Sequence, residues 1–300
     1  AQGRTARVAR PGPERCASRR MACGQGQQGP PAARPEGEGP PPKAARRSRD
    51  ARGWRAKIGV LVPSTNTIVQ PDFEDIRAAL GAHSGVTNHV GRIHIPNVDI
   101  GDDEGFARLQ RIIPTELESA VARCMTAACD HIAMGMSAPT FYHGYEACVK
   151  KREGLAARCG GVGVSSGSFA CEMALKKFGV TRIAVLSPYA QVGDVEVTRF
   201  FTEAGFQVLG FKGLRCRTPI AIAEVGEEEL LCHMRELDSP EVQALVQVGT
   251  NLSFIYGAPK LERELGKPVL AINSATYWQA LRSVGVATRL QGFGRLFEEF

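Results

Sequence analysis

The sequence predicts an α/β fold of two pseudo-symmetric halves, each a short parallel sheet flanked by helices, with the ligand pocket between them. The first observation behind this is a repeat. The segment Lys57-Ile-Gly-Val-Leu-Val-Pro-Ser-Thr-Asn66 is answered by Arg182-Ile-Ala-Val-Leu-Ser-Pro-Tyr-Ala-Gln191. The run 131–137 pairs with 244–251, and 161–168 with 268–275. The second observation is that these six apolar runs end in small hydroxyl or amide residues. Continuous runs such as Ile-Ala-Val-Leu fit central parallel strands buried on both faces. Parallel sheets carry ligands beyond the carboxyl ends of their strands, so two facing halves would enclose one polar pocket.

The elements alternate as this fold requires. In the first half, strands are expected at 58–62, 90–95, 132–136 and 162–165. Helices are expected at 71–80, where Pro71 suits a helix start, and at 106–128, 144–158 and 168–178. The 106–128 helix places Leu109, Ile112, Ile113, Leu117, Val121 and Met125 at helical spacing, and Pro114 predicts a break or kink inside it. In the second half, strands are expected at 183–186, 207–214, 244–248 and 269–272, and helices at 192–204, 224–236, 257–265 and 275–284. The expected division is 57–168 and 169–285, with 286–300 packing back on the first half.

Residues 1–56 differ from the rest. Thirteen basic residues stand against four acidic ones, Pro and Gly are dense, and no apolar periodicity appears, whereas 57–300 carries 24 basic against 27 acidic. Such a composition cannot bury enough apolar surface to offset ordering entropy, so 1–56 is expected to be a disordered tail. The overall charge of +6 therefore comes from the tail, and nucleic-acid binding is not expected. No apolar run approaches a membrane span, no signal-peptide pattern is present, and the Pro-Gly density argues against a transit-peptide helix. The nine cysteines form no Cys-x-x-Cys pair and no zinc or disulfide spacing. Cys124, Cys129, Cys148, Cys171 and Cys232 read as helical. A cytoplasmic protein with reduced thiols is expected, and a homo-oligomer remains open.

Four strand-end clusters could carry chemistry: Ser64-Thr65-Asn66, Gly135-Met136-Ser137, Ser187-Pro188-Tyr189 and Gly249-Thr250-Asn251. Hydroxyls, amides and glycine backbone at such places can donate to a developing oxyanion, although the same residues also cap helices and make turns. There is no Gly-x-x-x-x-Gly-Lys-Ser/Thr loop and no dinucleotide fingerprint after the first strand. Gly135-Met136-Ser137-Ala138-Pro139 departs from a nucleophile elbow at its last position. His131 and His143 flank Gly135 and read as surface or helix-cap residues. No metal or cofactor is expected.

These residues resemble the aspartate/glutamate racemase superfamily, in its arylmalonate decarboxylase and maleate isomerase branch, over about 57–300. Val62-Pro63-Ser64-Thr65-Asn66-Thr67 looks like the isomerase first-strand turn, whose Asn contacts a substrate carboxylate. Met134-Gly135-Met136-Ser137 with Phe141-Tyr142, the run 259–269 and the ending 292–297 look like the decarboxylase, and Tyr189 matches a carboxylate-binding Tyr of both. The superfamily usually has a Cys at each of two pseudo-symmetric strand ends, the decarboxylase only at the second. Here those positions read Gly135 and, by the Pro259-x-x-Glu262-Arg263 anchor, Gly249. The resemblance thus implies a cofactor-independent lyase acting on a small carboxylate through an enediolate without the usual cysteines. Tyr189, Thr250 and Ser137 are its candidate catalytic residues, and Ser64, Thr65, Asn66, Gly135, Met136, Gly249 and Asn251 its candidate substrate-binding residues. The alternatives are a maleate cis-trans isomerase-like enzyme and a carboxylate-binding protein.

Overall fold

The structure, a computed structural model, describes residues 50–300. Most of the expected tail lies outside the described residues. Its last part, however, belongs to the fold: Gly53 is buried, Arg55 N–H donates to Gly85 O, and the first strand opens at Ala56.

The first half is built from β1 (Ala56–Pro63), α1 (Val69–Ala79), β2 (Val86–Ile93), α2 (Asp103–Met125), β3 (His131–Met134), α3 (Ala138–Phe141), α4 (Tyr145–Arg158) and β4 (Gly163–Ser166). After α5 (Gly167–Lys177), the second half follows as β5 (Arg182–Ser187), α6 (Gln191–Glu203), β6 (Gln207–Gly213), α7 (Pro219–Ala223), α8 (Glu227–Glu236), β7 (Ala244–Gln247), α9 (Gly257–Leu265) and β8 (Val269–Ala271). Two helices close the chain, α10 (Ile272–Ser283) and α11 (Arg295–Glu299). The sheets run β2-β1-β3-β4 and β6-β5-β7-β8, all parallel. The strand order of one half is that of the other, as the repeat in the sequence implies.

Three local expectations differ from the structure. The second strand begins at Val86 rather than Val90. As an edge strand it presents the half-exposed Thr87, Asn88 and His89, and polar residues there hide its start. Pro114 does not break α2, which runs unbroken through it. An interior proline costs about 3 kcal/mol, but α2 buries Phe106, Leu109, Ile113, Leu117 and Val121 on one face, each apolar side chain contributing about 1.5–3 kcal/mol. The helix expected at 224–236 is α8, which starts three residues later, and an unexpected short helix, α7, precedes it, with the hydroxyl of Thr218 capping α7 by accepting from Ala221 N–H at 3.1 Å.

Chain order and packing part company at α10. It lies within 169–285 but packs on β3, β4, α1 and α5. Its Tyr277 hydroxyl donates to Asn88 of β2 at 2.8 Å, and its ring lies 4.7 Å from that of Phe73. The terminal segment, expected on 57–168, finds its partners elsewhere. Arg295 N–H donates to Glu262 of α9, Arg282 of α10 donates to Phe300 O, and the Phe300 ring lies 5.3 Å from Phe178 at the end of α5. A second seam is aromatic, with Phe141 of α3 and Phe169 of α5 packed on Phe200 of α6 at 5.3 and 5.4 Å. Among the described residues no helix is long and apolar enough to cross a membrane.

Candidate active site

The carboxyl ends of β1, β3, β5 and β7 converge on a cavity of about 60 Å³ lined by Thr65, Asn66, Met136, Ser137, Tyr189, Gly249, Thr250 and Asn251. Tyr189 OH and Ser137 Oγ share a hydrogen bond of 2.6 Å, and Ser137 Oγ also accepts from Thr250 N–H at 3.1 Å. The Thr250 hydroxyl donates to Gly135 O at 3.1 Å and lies 3.4 Å from Asn66 Nδ2. One ring of neutral donors therefore joins the two halves through side chains far apart in sequence.

The orientation of Asn66 follows from its other bonds. Its Oδ1 accepts the backbone N–H groups of Ile68 and Val69, both at 2.9 Å, which starts α1 and aims Nδ2 at Thr250. Among the described residues, the N–H groups of Met136 and Asn251 have no partner within the chain. The turn beyond β7 is held from below, where Gln247 Nε2 donates to Val248 O at 2.8 Å and Gly249 O at 2.9 Å.

Four expected residues are placed differently. Ser64 is exposed and outside the cavity lining, its hydroxyl accepting from Ile95 N–H at 2.9 Å and bracing the end of β1. Asn251 lines the cavity, but its amide is engaged, with Oδ1 accepting from Thr67 N–H at 3.1 Å and Nδ2 donating to Pro219 O at 2.8 Å. Gly135 sits behind the lining, where a Cβ would come 2.9 Å from Leu61 O. His131, expected at the surface or a helix cap, is buried within β3 against Ser165 Oγ at 2.8 Å, and burial pushes its pKa down to about 4. His143 is exposed.

Sequence reasoning missed two things. The first is the far wall of the cavity, formed by Ile95, Ile100, Phe106, Leu109, Pro219 and Ile222. Ile95 and Ile100 stand singly in a polar loop, and that isolation was the available signal. The second is a layer behind the ring. Asn273 of α10 donates through Nδ2 to both Thr250 O (3.0 Å) and Asp72 of α1 (2.7 Å). Burial pushes Asp72 up to about 7, against the Asn273 hydrogen bond. On the other side, Asp194 accepts from Ser187 and pairs with Arg215, whose guanidinium also donates to Tyr189 O at 2.7 Å. These bonds fix the tyrosine backbone.

No charged side chain lines the cavity, and none of the seven described cysteines does. Cys129, expected in a helix, lies in the loop before β3, and Cys216 lies in the loop after β6. Burial raises the Cys148 and Cys216 thiols to about 11, which keeps them protonated and weakly reactive. Tyr189 is likewise pushed up by burial, its bond to Ser137 opposing the shift, so the phenol keeps its proton. Gly249 has φ +99°, and a Cβ there would meet Pro188 Cδ at 2.5 Å. Gly249→Cys is therefore expected to lower stability by about 1–3 kcal/mol without placing a thiol in the cavity. Thermal melting of the variant checks this, and an undiminished melting temperature would contradict it.

The model of the family described as arylmalonate decarboxylase matches residues 103–297. The chain belongs to the arylmalonate decarboxylase family. Among curated relatives, maleate isomerase of Nocardia farcinica (strain IFM 10152) is 27% identical over 255 residues, covering 81% of this chain and 96% of the relative. Arylmalonate decarboxylase of Bordetella bronchiseptica is 28% identical over 128 residues, covering 42% of this chain and 53% of that protein. The fold of this arylmalonate decarboxylase family member matches the structure of Nocardia farcinica maleate cis-trans isomerase bound to TRIS. That match has a TM-score of 0.74 at 23% identity and covers 81% of this chain and 98% of the other. A crystal structure of arylmalonate decarboxylase matches with a TM-score of 0.65 at 18% identity, covering 81% and 100%.

Proposed function

We propose that the protein is a cofactor-independent decarboxylase of small malonate-type acids, and that it uses hydroxyl and amide donors in place of thiols. The observation that carries this reading is the one-sided polarity of the cavity. One wall is the donor ring of Asn66, Ser137, Tyr189 and Thr250, and the other is Ile95, Ile100, Phe106 and Leu109. A carboxylate that stays on the substrate fits the donors. A carboxylate that leaves is disfavoured against hydrocarbon, where an unpaired charge is costly, and carbon dioxide is not.

In this reading the bond from the α-carbon to the second carboxylate breaks and carbon dioxide leaves toward the apolar wall. The electron pair passes into an enediolate, held by the ring and by the Met136 and Asn251 N–H groups. Each well-placed donor contributes about 3–4 kcal/mol to such a charge. The Tyr189 hydroxyl then gives its proton to the α-carbon, and water restores the phenol. A phenol held neutral by burial is suited to this, because an enediolate is basic enough to take its proton.

Isomerisation of a dicarboxylate keeps both carboxylates and so asks for polar groups at both ends. The Nocardia farcinica isomerase was also captured, as a cysteine-to-serine mutant, with a covalently bound succinylcysteine intermediate, and no described cysteine lines the cavity here. Volume narrows the substrate further. An apolar cavity of about 150 Å³ holds benzene, so the smaller 60 Å³ here favours an alkyl over an aryl substituent. Turnover measured on methylmalonate, phenylmalonate and maleate tests this. Carbon dioxide release is expected from methylmalonate, more slowly from phenylmalonate, with no fumarate from maleate. Fumarate formation as the main activity would overturn the reading.

A further inference from the structure

A second and larger cavity, of about 530 Å³, lies between α2 and α4 over the β3–β4 edge of the first sheet. We infer that it is a binding site for an anionic amphiphile, a carboxylate or phosphate monoester carrying a medium-length hydrocarbon chain. The volume falls within the range of small-molecule sites, which are apolar with a few polar groups that orient the ligand.

The floor is hydrocarbon from Leu117, Met134, Leu155 and Val164. Two polar atoms in this lining lack partners. Ser166 is 4% exposed and its Oγ has no hydrogen bond, and Gln110 Nε2 is buried and equally unpaired. Buried polar atoms are almost always satisfied, and both of these sit on residues that line the one cavity, just beneath its surface, within a side-chain rotation of a ligand's polar atoms. The rim sets the sign of the charge. Lys150, Lys151, Arg152 and Arg158 line the cavity and no acidic residue does. Lys150 pairs only with the exposed Glu146, Lys151 donates to Tyr142 O, and Arg158 has no ion pair among the described residues. The cation rim takes the head group, Gln110 can add a donor, and the floor takes the chain.

The site is separate from the candidate active site but shares a wall with it. Tyr142 lines the larger cavity, and its ring lies 6.1 Å from Phe106, which lines the smaller one.

Calorimetric titration of the full chain with octanoate, octyl phosphate and octylammonium tests the inference. One equivalent of at least one of the two anions is expected to bind, with about ten-fold or greater preference over octylammonium. Whichever anion binds tighter identifies the head group. The double variant Lys150→Glu/Arg158→Glu is expected to weaken binding by about ten-fold. Val164→Trp, which fills the cavity, is expected to abolish it with an unchanged melting temperature. Equal affinity for octylammonium, no binding of either anion, or a dimer that Val164→Trp dissociates would overturn the inference. In the last case the groove would be a contact between copies of this chain.

Discussion

Tyr189→Phe is expected to lower kcat for methylmalonate decarboxylation by about 10²–10³-fold with a much smaller change in KM. That is the range for removing one donor aimed at a developing charge, and it overlaps the contribution of a positioned acid. Tyr189 is buried and its hydroxyl faces only Ser137 and the cavity. The ring keeps its packing on Phe106, 5.5 Å away, so the fold should survive. The lost hydrogen bond is expected to cost only about 1 kcal/mol of stability. Steady-state kinetics alongside thermal melts separate the two effects. Loss of rate in proportion to loss of folded protein would show that Tyr189 is structural. Retained kcat would show that another group supplies the proton.

The second large effect concerns Asp72. Its folded pKa of about 7 stands above the ordinary 3.8 because burial disfavours the carboxylate. A raised acid contributes stability that is fully present below pH 3.8 and is lost as pH rises through 7. The loss amounts to about 4 kcal/mol at about 1.4 kcal/mol per pH unit. His131 works in the opposite direction. Its folded pKa of about 4 lies below the ordinary 6.5, so its contribution is present above pH 6.5 and lost as pH falls through 4, by about 3 kcal/mol. Between pH 4 and 6.5 the two largely cancel, and above pH 6.5 they do not.

Asp72→Asn is expected to stabilise the protein by about 2–4 kcal/mol at pH 8, where the buried charge is removed, and to change little near pH 4. Asn273 Oδ1 is buried and unpaired, so it can accept from the amide that the substitution introduces. Denaturant melts from pH 4 to 8 measure this. In the variant, stability should rise steadily from pH 4 to 6.5, because over that range His131 is neutral in the folded chain and protonated in the unfolded one. An unchanged pH profile would mean that Asp72 titrates normally. Because Asn273 also donates to Thr250 O, the same substitution tests whether α1 and α10 steady the donor ring.

The fold was legible because it rests on periodic features. Six apolar runs in repeated order give two sheets of the same strand order, and β1, β5 and β7 lie within one or two residues of their expected places. The expected residues that line the cavity were legible for a related reason. A parallel strand delivers the residues after it to one edge of the sheet, so Asn66, Ser137, Tyr189 and Thr250 had to converge. What stayed hidden depends on distance in sequence or on side-chain direction. Asp72 and Asn273 are 201 residues apart. Ile100 comes from a loop and Ile222 from the five-residue α7, neither long enough to show a period of its own. Ser64 reads like its neighbours, yet the strand ends with its hydroxyl turned to the backbone of Ile95. The packing of α10 on the first sheet was invisible because the repeat describes chain order, not which sheet a helix covers.

The most direct test of the central claim is proton NMR of methylmalonate turnover in deuterated buffer. Propionate carrying one deuterium at the α-carbon, formed at an unchanged rate after alkylation of the accessible thiols, is the expected result. It would establish carbanion chemistry that uses no cysteine. Loss of turnover on alkylation, or conversion of maleate to fumarate in place of decarboxylation, would contradict it.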